Sequence, residues 1–127
     1  MSSFITGVTG QVGSVLADSI LDTSEQDIVG FARWQDSLSN LHHRAVEISE
    51  QDRFRLAYGD LNDFSSIFRA LRQHRPDFIY HLAAQSFPQT SYTAPLETLQ
   101  TNIIGTANLL EAVRIISEEE EWSPVIH

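Results

Sequence analysis

Hydrophobic and polar positions along the chain follow two different periods, and the change from one to the other predicts elements of two kinds. Strands are predicted where short apolar runs occur, at Ser2–Thr6, Asp27–Ala32, Arg53–Tyr58 and Asp77–Leu82, and a fifth strand begins in Pro124–His127. The second run is apolar on both faces, which is typical of a parallel strand covered by helices on each side.

Helices are predicted between these strands, where apolar residues recur three and four positions apart. The first helix covers Gln11–Leu21, and its apolar face is expected to bury Val12, Val15, Leu16 and Ile20. Asp63 can cap the second helix, which ends before Pro76. The longest helix covers Leu96–Ile116. Loops are predicted at Trp34–Gln51, with one short helix near Ser39–Arg44, and at Ala83–Pro95.

Strands that alternate with helices predict a parallel sheet with helices on both faces and right-handed crossovers. The fold class is therefore expected to be α/β, a Rossmann-type doubly wound parallel sheet. Residues 1–127 are enough for one domain with its own core. The last predicted strand, Pro124–His127, has only begun where the sequence stops.

The overall charge restricts the partners of the chain. The formal net charge is −9, and all eight basic residues are arginines, since the sequence has no lysine. Such a balance argues against nucleic acid as a partner. No apolar run approaches the roughly 18 residues of a membrane span. The absence of cysteine fits the cytoplasm, and no signal peptide is expected ahead of Gly7.

Three glycines spaced three residues apart join the first strand to the first helix, in the segment Thr6–Gly13. They allow a sharp turn, and the N-terminus of the helix that follows attracts anions. In this context the pattern predicts a site for a dinucleotide pyrophosphate, and a tight turn without a ligand is the alternative. The expected cofactor-binding residues here are Gly7, Thr9, Gly10, Gln11, Val12 and Gly13.

Arg33 stands directly after the second strand, 20 residues beyond Gly13. An acidic residue at this strand end binds the ribose 2′-hydroxyl of NAD, whereas an arginine suits the 2′-phosphate of NADP. No Asp or Glu ends the second strand, so the cofactor is predicted to be NADP, with NAD possible. A solvated surface arginine is the alternative.

The ends of the third and fourth strands supply the remaining candidates, since ligands bind at the carboxyl ends of such strands. Asp60 could accept a hydrogen bond from adenine or simply form a capping turn, and Leu61 could pack on the ring. His81 is expected to be a hydrogen-bonded histidine, His42-His43 a loop surface, and no metal site is predicted. Further cofactor-binding candidates are Leu82, Ala83, Ala84 and Ser86, and the substrate-side candidates are Gln85 and Ser86.

Four segments together resemble the extended short-chain dehydrogenase/reductases that act on nucleotide sugars: Thr6–Gly13, Tyr58–Leu61, His81–Ser86 and Asn102–Thr106. Within that class they are most similar to the GDP-mannose 4,6-dehydratases. The resemblance implies a nucleotide-sugar substrate that is oxidised at C4, loses water across C5 and C6, and is reduced at C6. A GDP-4-keto-6-deoxymannose reductase or a sugar epimerase is the first alternative, because His at position 81 and Asn at position 102 are common in those enzymes.

The family's catalytic Ser/Thr and its Tyr-x-x-x-Lys pair lie beyond the fifth strand, together with the substrate domain. No tyrosine here is followed by a lysine, so no catalytic residue is assigned and the 127 residues alone are expected to be inactive. The resemblance implies a fragment of a longer enzyme that forms a homodimer or larger assembly through the Leu96–Ile116 helix. A non-catalytic NADP-binding or scaffold protein is the second alternative.

Overall fold

The computed structural model describes all residues from 1 to 127, and five parallel strands form one sheet in the order β3-β2-β1-β4-β5. The strands are β1 Ser2–Thr6, β2 Asp27–Ala32, β3 Phe54–Tyr58, β4 Phe78–His81 and β5 Val125–Ile126. The helices are α1 Gln11–Thr23, α2 Ala45–Glu50, α3 Phe64–His74, α4 Pro88–Thr93, α5 Pro95–Leu99 and α6 Gly105–Glu119. A 3-10 helix covers Ser39–Arg44, and a π-helical turn covers Gln100–Ile104. The predicted fold class is confirmed.

Strand β1 is the centre of the sheet. It pairs with β2 on one side, where Phe4 lies opposite Val29, and with β4 on the other, where Phe4 lies opposite Ile79. Phe4 and Ile5 point to opposite faces of the strand and are both fully buried. Each face of β1 is therefore covered, as the apolar run predicts.

Two hydrophobic clusters cover the two faces of the sheet. The first packs α3 and α6 against it and contains Phe4, Val29, Phe31, Leu61, Ile67, Ala70, Leu71, Ile79, Leu109, Ala112 and Ile116. The second packs α1 and the 3-10 helix against it and contains Ile5, Val8, Ala17, Leu21, Ile28, Ala32, Leu41 and Phe54. The sheet is thus wound on both sides, and its carboxyl edge carries the loops described below.

The predicted buried face of α1 is wrong in part. The buried residues are Gly13, Ser14, Ala17 and Leu21, whereas Val12 and Val15 are 68% and 63% exposed. Small side chains let the helix approach the sheet closely, and this turns the valines outward. Leu16 and Ile20 are partly buried against the second cluster.

The predicted helix Leu96–Ile116 is present, but it is interrupted by the π-helical turn Gln100–Ile104. The buried face of α6 contains Gly105, Leu109, Ala112 and Ile116. A Cβ atom on Gly105 would lie 2.9 Å from the Cβ of Leu61, so glycine allows the close approach. Several apolar side chains remain exposed on the other side, namely Leu96, Leu99, Ile103 and Leu110. The predicted self-association through this region stays a prediction.

Both predicted loops contain helices that the pattern did not indicate. Ala45–Glu50 forms α2 and Pro88–Thr93 forms α4, each six residues long. Neither has a fully buried side chain, so neither shows the apolar stripe that identifies a packed helix. Every helix in the structure is too short or too polar to cross a lipid bilayer.

Candidate functional site

The turn between β1 and α1 depends on Gly7, which has a backbone φ of +72°. Side-chain-bearing residues rarely adopt this conformation. A Cβ atom at Gly7 would also lie 2.8 Å from the backbone nitrogen of Ala83, which follows β4. Gly7 therefore lets the β1 and β4 ends approach backbone to backbone at the carboxyl edge.

The other two glycines occupy different environments in the same turn. The Gly10 N–H donates to the Gly7 carbonyl at 3.0 Å. A Cβ atom on Gly13 would lie only 2.2 Å from that carbonyl oxygen, whereas one on Gly10 would lie 3.2 Å away with no other close atom. Gly13 is thus required for packing inside the turn, and Gly10 keeps open space in front of it.

The N-terminus of α1 is open to a ligand. Gly10 is its N-cap residue and provides no side chain to the free N–H groups, and the first turn has no acidic residue. The positive end of the helix dipole therefore has no counter-charge within the helix. This arrangement can bind an anion such as a phosphate group.

A cleft of about 580 Å³ lies in front of this helix, at the carboxyl edge of the sheet. All fourteen residues that the sequence predicted for the site line it: Gly7, Thr9, Gly10, Gln11, Val12, Gly13, Arg33, Asp60, Leu61, Leu82, Ala83, Ala84, Gln85 and Ser86. The structure thus brings four separate loops around one volume. Their individual roles toward a ligand stay predictions.

Arg33 lies at the end of β2, and its guanidinium is held by Asp36. Nε donates to Asp36 Oδ1 at 3.0 Å, and the distance from Nη2 to the same oxygen is 2.8 Å. The backbone N–H of Arg33 donates to Asp36 Oδ2 at 3.0 Å. An acidic side chain therefore does reach this strand end, although it stands three residues further along the chain.

Asp60 and Leu61 at the end of β3 have structural contacts as well as a place in the cleft. Asp60 Oδ1 accepts a hydrogen bond from the Asn62 backbone at 2.9 Å, which is the capping-turn alternative. Leu61 is only 6% exposed and belongs to the first hydrophobic cluster. Most of its side chain is thus used in the core, and little is available to a ligand.

His81 connects β1, β4 and α6 through a chain of hydrogen bonds. The Ala83 N–H donates to Thr6 Oγ1, which lies 2.9 Å from His81 Nδ1. On the other side, His81 Nε2 lies 2.9 Å from Thr106 Oγ1, whose hydroxyl donates to the Asn102 carbonyl. These partners assign the proton to Nε2, so that Nδ1 accepts from Thr6. His81 is hydrogen-bonded, as the sequence predicted.

Asn102 fixes the loop that follows β4. Its Oδ1 accepts from the Gln85 backbone N–H at 2.8 Å, and its Nδ2 donates to the Gln85 carbonyl at 3.1 Å. The Gln85 side-chain amide donates to Thr98 Oγ1 and accepts from the Phe87 N–H. The Gln85 side-chain amide therefore already has hydrogen-bond partners within the chain. Of the two predicted substrate-side residues, Ser86 has the side chain that is more available to a ligand.

Stability is expected to fall as the pH drops from 7.5 to 5.5. Burial lowers the pKa of His81 below its usual value of 6.5, so the unfolded chain takes up the proton more readily than the folded one. The stabilisation is complete above pH 6.5 and decreases below it. Protonation of Nδ1 would also remove the acceptor for Thr6. Urea unfolding at several pH values measures this slope.

The matched variant for this prediction is His81→Asn, which should have a flatter dependence on pH. Burial also lowers the pKa of His74, which has no part in the hydrogen-bond chain, so His74→Asn should flatten the dependence as well and measures this second contribution. A pH slope that is unchanged in His81→Asn would contradict the prediction.

Seven residues of the cleft were not predicted from the sequence: Phe31, Ala32, Asp36, Asn62, Phe87, Glu97 and Thr101. Of these, Asp36 contacts Arg33, and its spacing from Arg33 is the signal that could have found it. A turn of four residues brings its first and last members together. Glu97 and Thr101 lie near the start of the predicted Leu96–Ile116 helix, and a local pattern does not show that this end of the helix reaches the cleft.

Known proteins match nearly the whole chain. The GDP-mannose 4,6 dehydratase family model matches residues 4–125. The GDP-mannose 4,6-dehydratase of Vibrio cholerae serotype O1 is 40% identical over 118 residues, which are 90% of this chain and 31% of that protein. The dTDP-glucose 4,6-dehydratase 1 of Escherichia coli K12 is 33% identical over 116 residues, again 90% of this chain and 31% of the relative.

Solved structures match in the same region. UDP-glucose 4-epimerase of Thermus thermophilus, in complex with NAD, superposes with a TM-score of 0.71 at 26% identity. The superposition covers 92% of this chain and 35% of the epimerase. The chain therefore spans about a third of the length of the proteins that it matches. Because the family model extends over almost every residue, the chain belongs to the GDP-mannose 4,6-dehydratase family.

Proposed function

We propose that the chain is the cofactor-binding part of an NADP-dependent nucleotide-sugar 4,6-dehydratase that acts on GDP-mannose. The observation that carries the proposal is the glycine turn at the open N-terminus of α1, within a chain that matches the family over residues 4–125. The relatives' names supply the reaction class, and the cleft supplies a place for the dinucleotide.

The residues present fit a dinucleotide. A Cβ atom at Gly10 would meet only the Gly7 carbonyl oxygen, and Gly10 lines the cleft, so that the missing side chain leaves room for a pyrophosphate. The uncapped N–H groups of α1 would hold the phosphate oxygens, and Arg33 would bind the 2′-phosphate. Ala83 and Ala84 would admit the flat rings at the β4 end.

A nicotinamide cofactor, when bound, supplies reversible hydride transfer. The residues of this chain position and shield it. The bidentate Asn102–Gln85 contact and the Thr6–His81–Thr106 hydrogen bonds fix the β4 loop relative to α6. Ser86, at the exposed end of this loop, is the residue that we propose to contact the sugar. The chemical step itself is proposed to use residues beyond this chain.

The reductase and epimerase alternatives share this cofactor site. Identity favours the dehydratase, at 40% with a GDP-mannose 4,6-dehydratase against 26% with the NAD-bound epimerase. The 33% identity with a dTDP-glucose 4,6-dehydratase supports the reaction class with a different nucleotide. Assays of a longer protein that contains these residues, with GDP-mannose, GDP-4-keto-6-deoxymannose, dTDP-glucose and UDP-glucose as substrates, separate the two dehydratases, the reductase and the epimerase.

Arg33→Ala is expected to weaken NADP binding by about tenfold and to affect NAD less. A hydrogen bond to a charged group contributes about 1.5–3 kcal/mol, and 1.4 kcal/mol corresponds to tenfold in Kd. Only NADP has the 2′-phosphate that the guanidinium would bind. Calorimetric titration of the chain with each cofactor measures both constants.

The control is Arg114→Ala. Arg114 pairs only with Glu111 and Glu118 on the surface of α6, outside the cleft. Arg114→Ala should leave the Kd values of NADP and NAD unchanged. An equal loss of NADP and NAD affinity in Arg33→Ala would exclude the 2′-phosphate role, and failure of the wild-type chain to bind either cofactor would overturn the proposed function.

A further inference from the structure

Arg33, Trp34, Gln35 and Asp36 form a tight turn at the rim of the cleft. The Asp36 N–H donates to the Arg33 carbonyl at 3.1 Å, which closes the turn. The Asp36 side chain returns to Arg33, with one oxygen on the guanidinium and the other on the backbone N–H. The carboxylate and the guanidinium therefore lie together at the end of β2.

The Asp36 carboxylate is also directed toward the glycine turn. Its Oδ2 lies 3.5 Å from Thr9 Oγ1, and Asp36, Thr9 and Arg33 all line the cleft. The side chain is only 17% exposed, compared with 55% for Arg33. A dinucleotide that extends from the glycine turn toward Arg33 must pass close to this carboxylate.

Nε and Nη2 form one edge of the Arg33 guanidinium, and Asp36 occupies both. A phosphate binds arginine most favourably through two parallel N–H···O hydrogen bonds, which an edge such as this one can donate. A 2′-phosphate would have to displace the carboxylate or accept it as a neighbour of like charge. A ribose hydroxyl, in contrast, can donate to a carboxylate at this strand end.

We propose that Asp36 is a specificity-determining residue, whose carboxylate occupies the Nε–Nη2 edge of Arg33 that a 2′-phosphate could otherwise bind, so that the chain accepts both NADP and NAD. The inference rests on the proposed function, since it concerns the same cofactor site. Arg33 favours NADP. The Asp36 carboxylate opposes that preference, and it can accept hydrogen bonds from the ribose hydroxyls of NAD. The balance between these two side chains sets the cofactor selectivity.

Asp36→Asn tests this directly. The amide keeps an oxygen that can accept from the Arg33 N–H, and it removes the negative charge. We expect NADP to bind more tightly and NAD less tightly, so that the ratio of the two Kd values shifts toward NADP by about tenfold or more. Calorimetric titration of the 127-residue chain with NADP and with NAD gives the ratio without any enzyme assay. Asp36→Ser is the second variant, and circular dichroism verifies that each one is folded.

Two controls isolate the cause. Asp22→Asn removes a carboxylate that pairs with Arg44 outside the cleft, and it should leave the ratio unchanged. In an Arg33→Ala background, Asp36→Asn should no longer tighten NADP binding, because the edge that it releases is absent. An Asp36 effect that persists without Arg33 would overturn the proposal.

The outcomes also separate this proposal from the one on which it rests. If the wild-type chain binds both cofactors and both Asp36 variants leave the ratio unchanged, the Asp36 proposal fails and the cofactor site remains. If the wild-type chain binds neither cofactor, both fail. A wild-type preference for NADP of about a thousandfold would also contradict the proposal, since the chain would then not accept both cofactors.

Discussion

Gly13→Ala is expected to lower the free energy of unfolding by roughly 3 kcal/mol, at the upper end of the usual cost of overpacking. The new Cβ atom would lie 2.2 Å from the Gly7 carbonyl oxygen and 2.9 Å from the Val8 Cα. Both are backbone atoms of the β1–α1 turn, so no side-chain rotation can relieve the contact. The start of α1 would have to move away from β1. Urea unfolding followed by circular dichroism measures the change.

The matched control is Gly10→Ala in the same turn. Gly10 has a φ of −77°, which any residue adopts, and its Cβ atom would meet only the Gly7 carbonyl, at 3.2 Å. Its free energy of unfolding should change by less than about 1 kcal/mol, since alanine also reduces the entropy of the unfolded chain. Equal destabilisation by the two alanines would show that the close packing at Gly13 is not the cause.

Gly10→Ala should instead weaken dinucleotide binding by about a hundredfold. The methyl group would extend from the N-cap residue of α1, which lines the cleft, and would crowd the proposed pyrophosphate. The loss of one or two charge-assisted hydrogen bonds corresponds to about 3 kcal/mol. The effect should be similar for NADP and NAD, because both contain the pyrophosphate. Titration of the folded variant with each cofactor tests this prediction.

Val15→Ala is the control for binding, since Val15 is exposed on α1 and does not line the cleft. It should bind both cofactors like the wild-type chain. Unchanged affinity in Gly10→Ala would place the pyrophosphate away from α1. A loss confined to NADP would indicate that the alanine disturbs Arg33 rather than the glycine turn.

The fold could be predicted from the sequence because its main signals are local. The apolar runs of the strands and the glycine spacing act within a few residues, and strands that alternate with helices indicate a parallel sheet. The order of the strands within the sheet comes from the structure. The candidate site was predictable for the same reason. The carboxyl ends of parallel strands lie at one edge, so motifs that follow different strands are brought together without knowledge of the packing.

The remaining features depend on contacts that a local pattern does not contain. The buried face of α1 consists of Gly13, Ser14, Ala17 and Leu21, and small residues carry almost no hydrophobic signal. The Asp36 carboxylate lies at the end of β2 only because a turn brings it back to Arg33. The partners of His81 are 75 residues before it and 25 after it, so only the folded sheet brings them together.

The central position of β1 has a consequence for the order of synthesis. Of the five strands, β1 leaves the ribosome first, and β2 can pair with one of its edges soon afterwards. The other edge pairs with β4, whose residues 78–81 are made about 70 residues later. Until then a nascent chain holds the apolar strand β1 with one edge unpaired, and unpaired strand edges promote association between chains. The strand that leads into the glycine turn is thus the earliest of the five to be made, yet its pairing is complete only after that of β2 and β3.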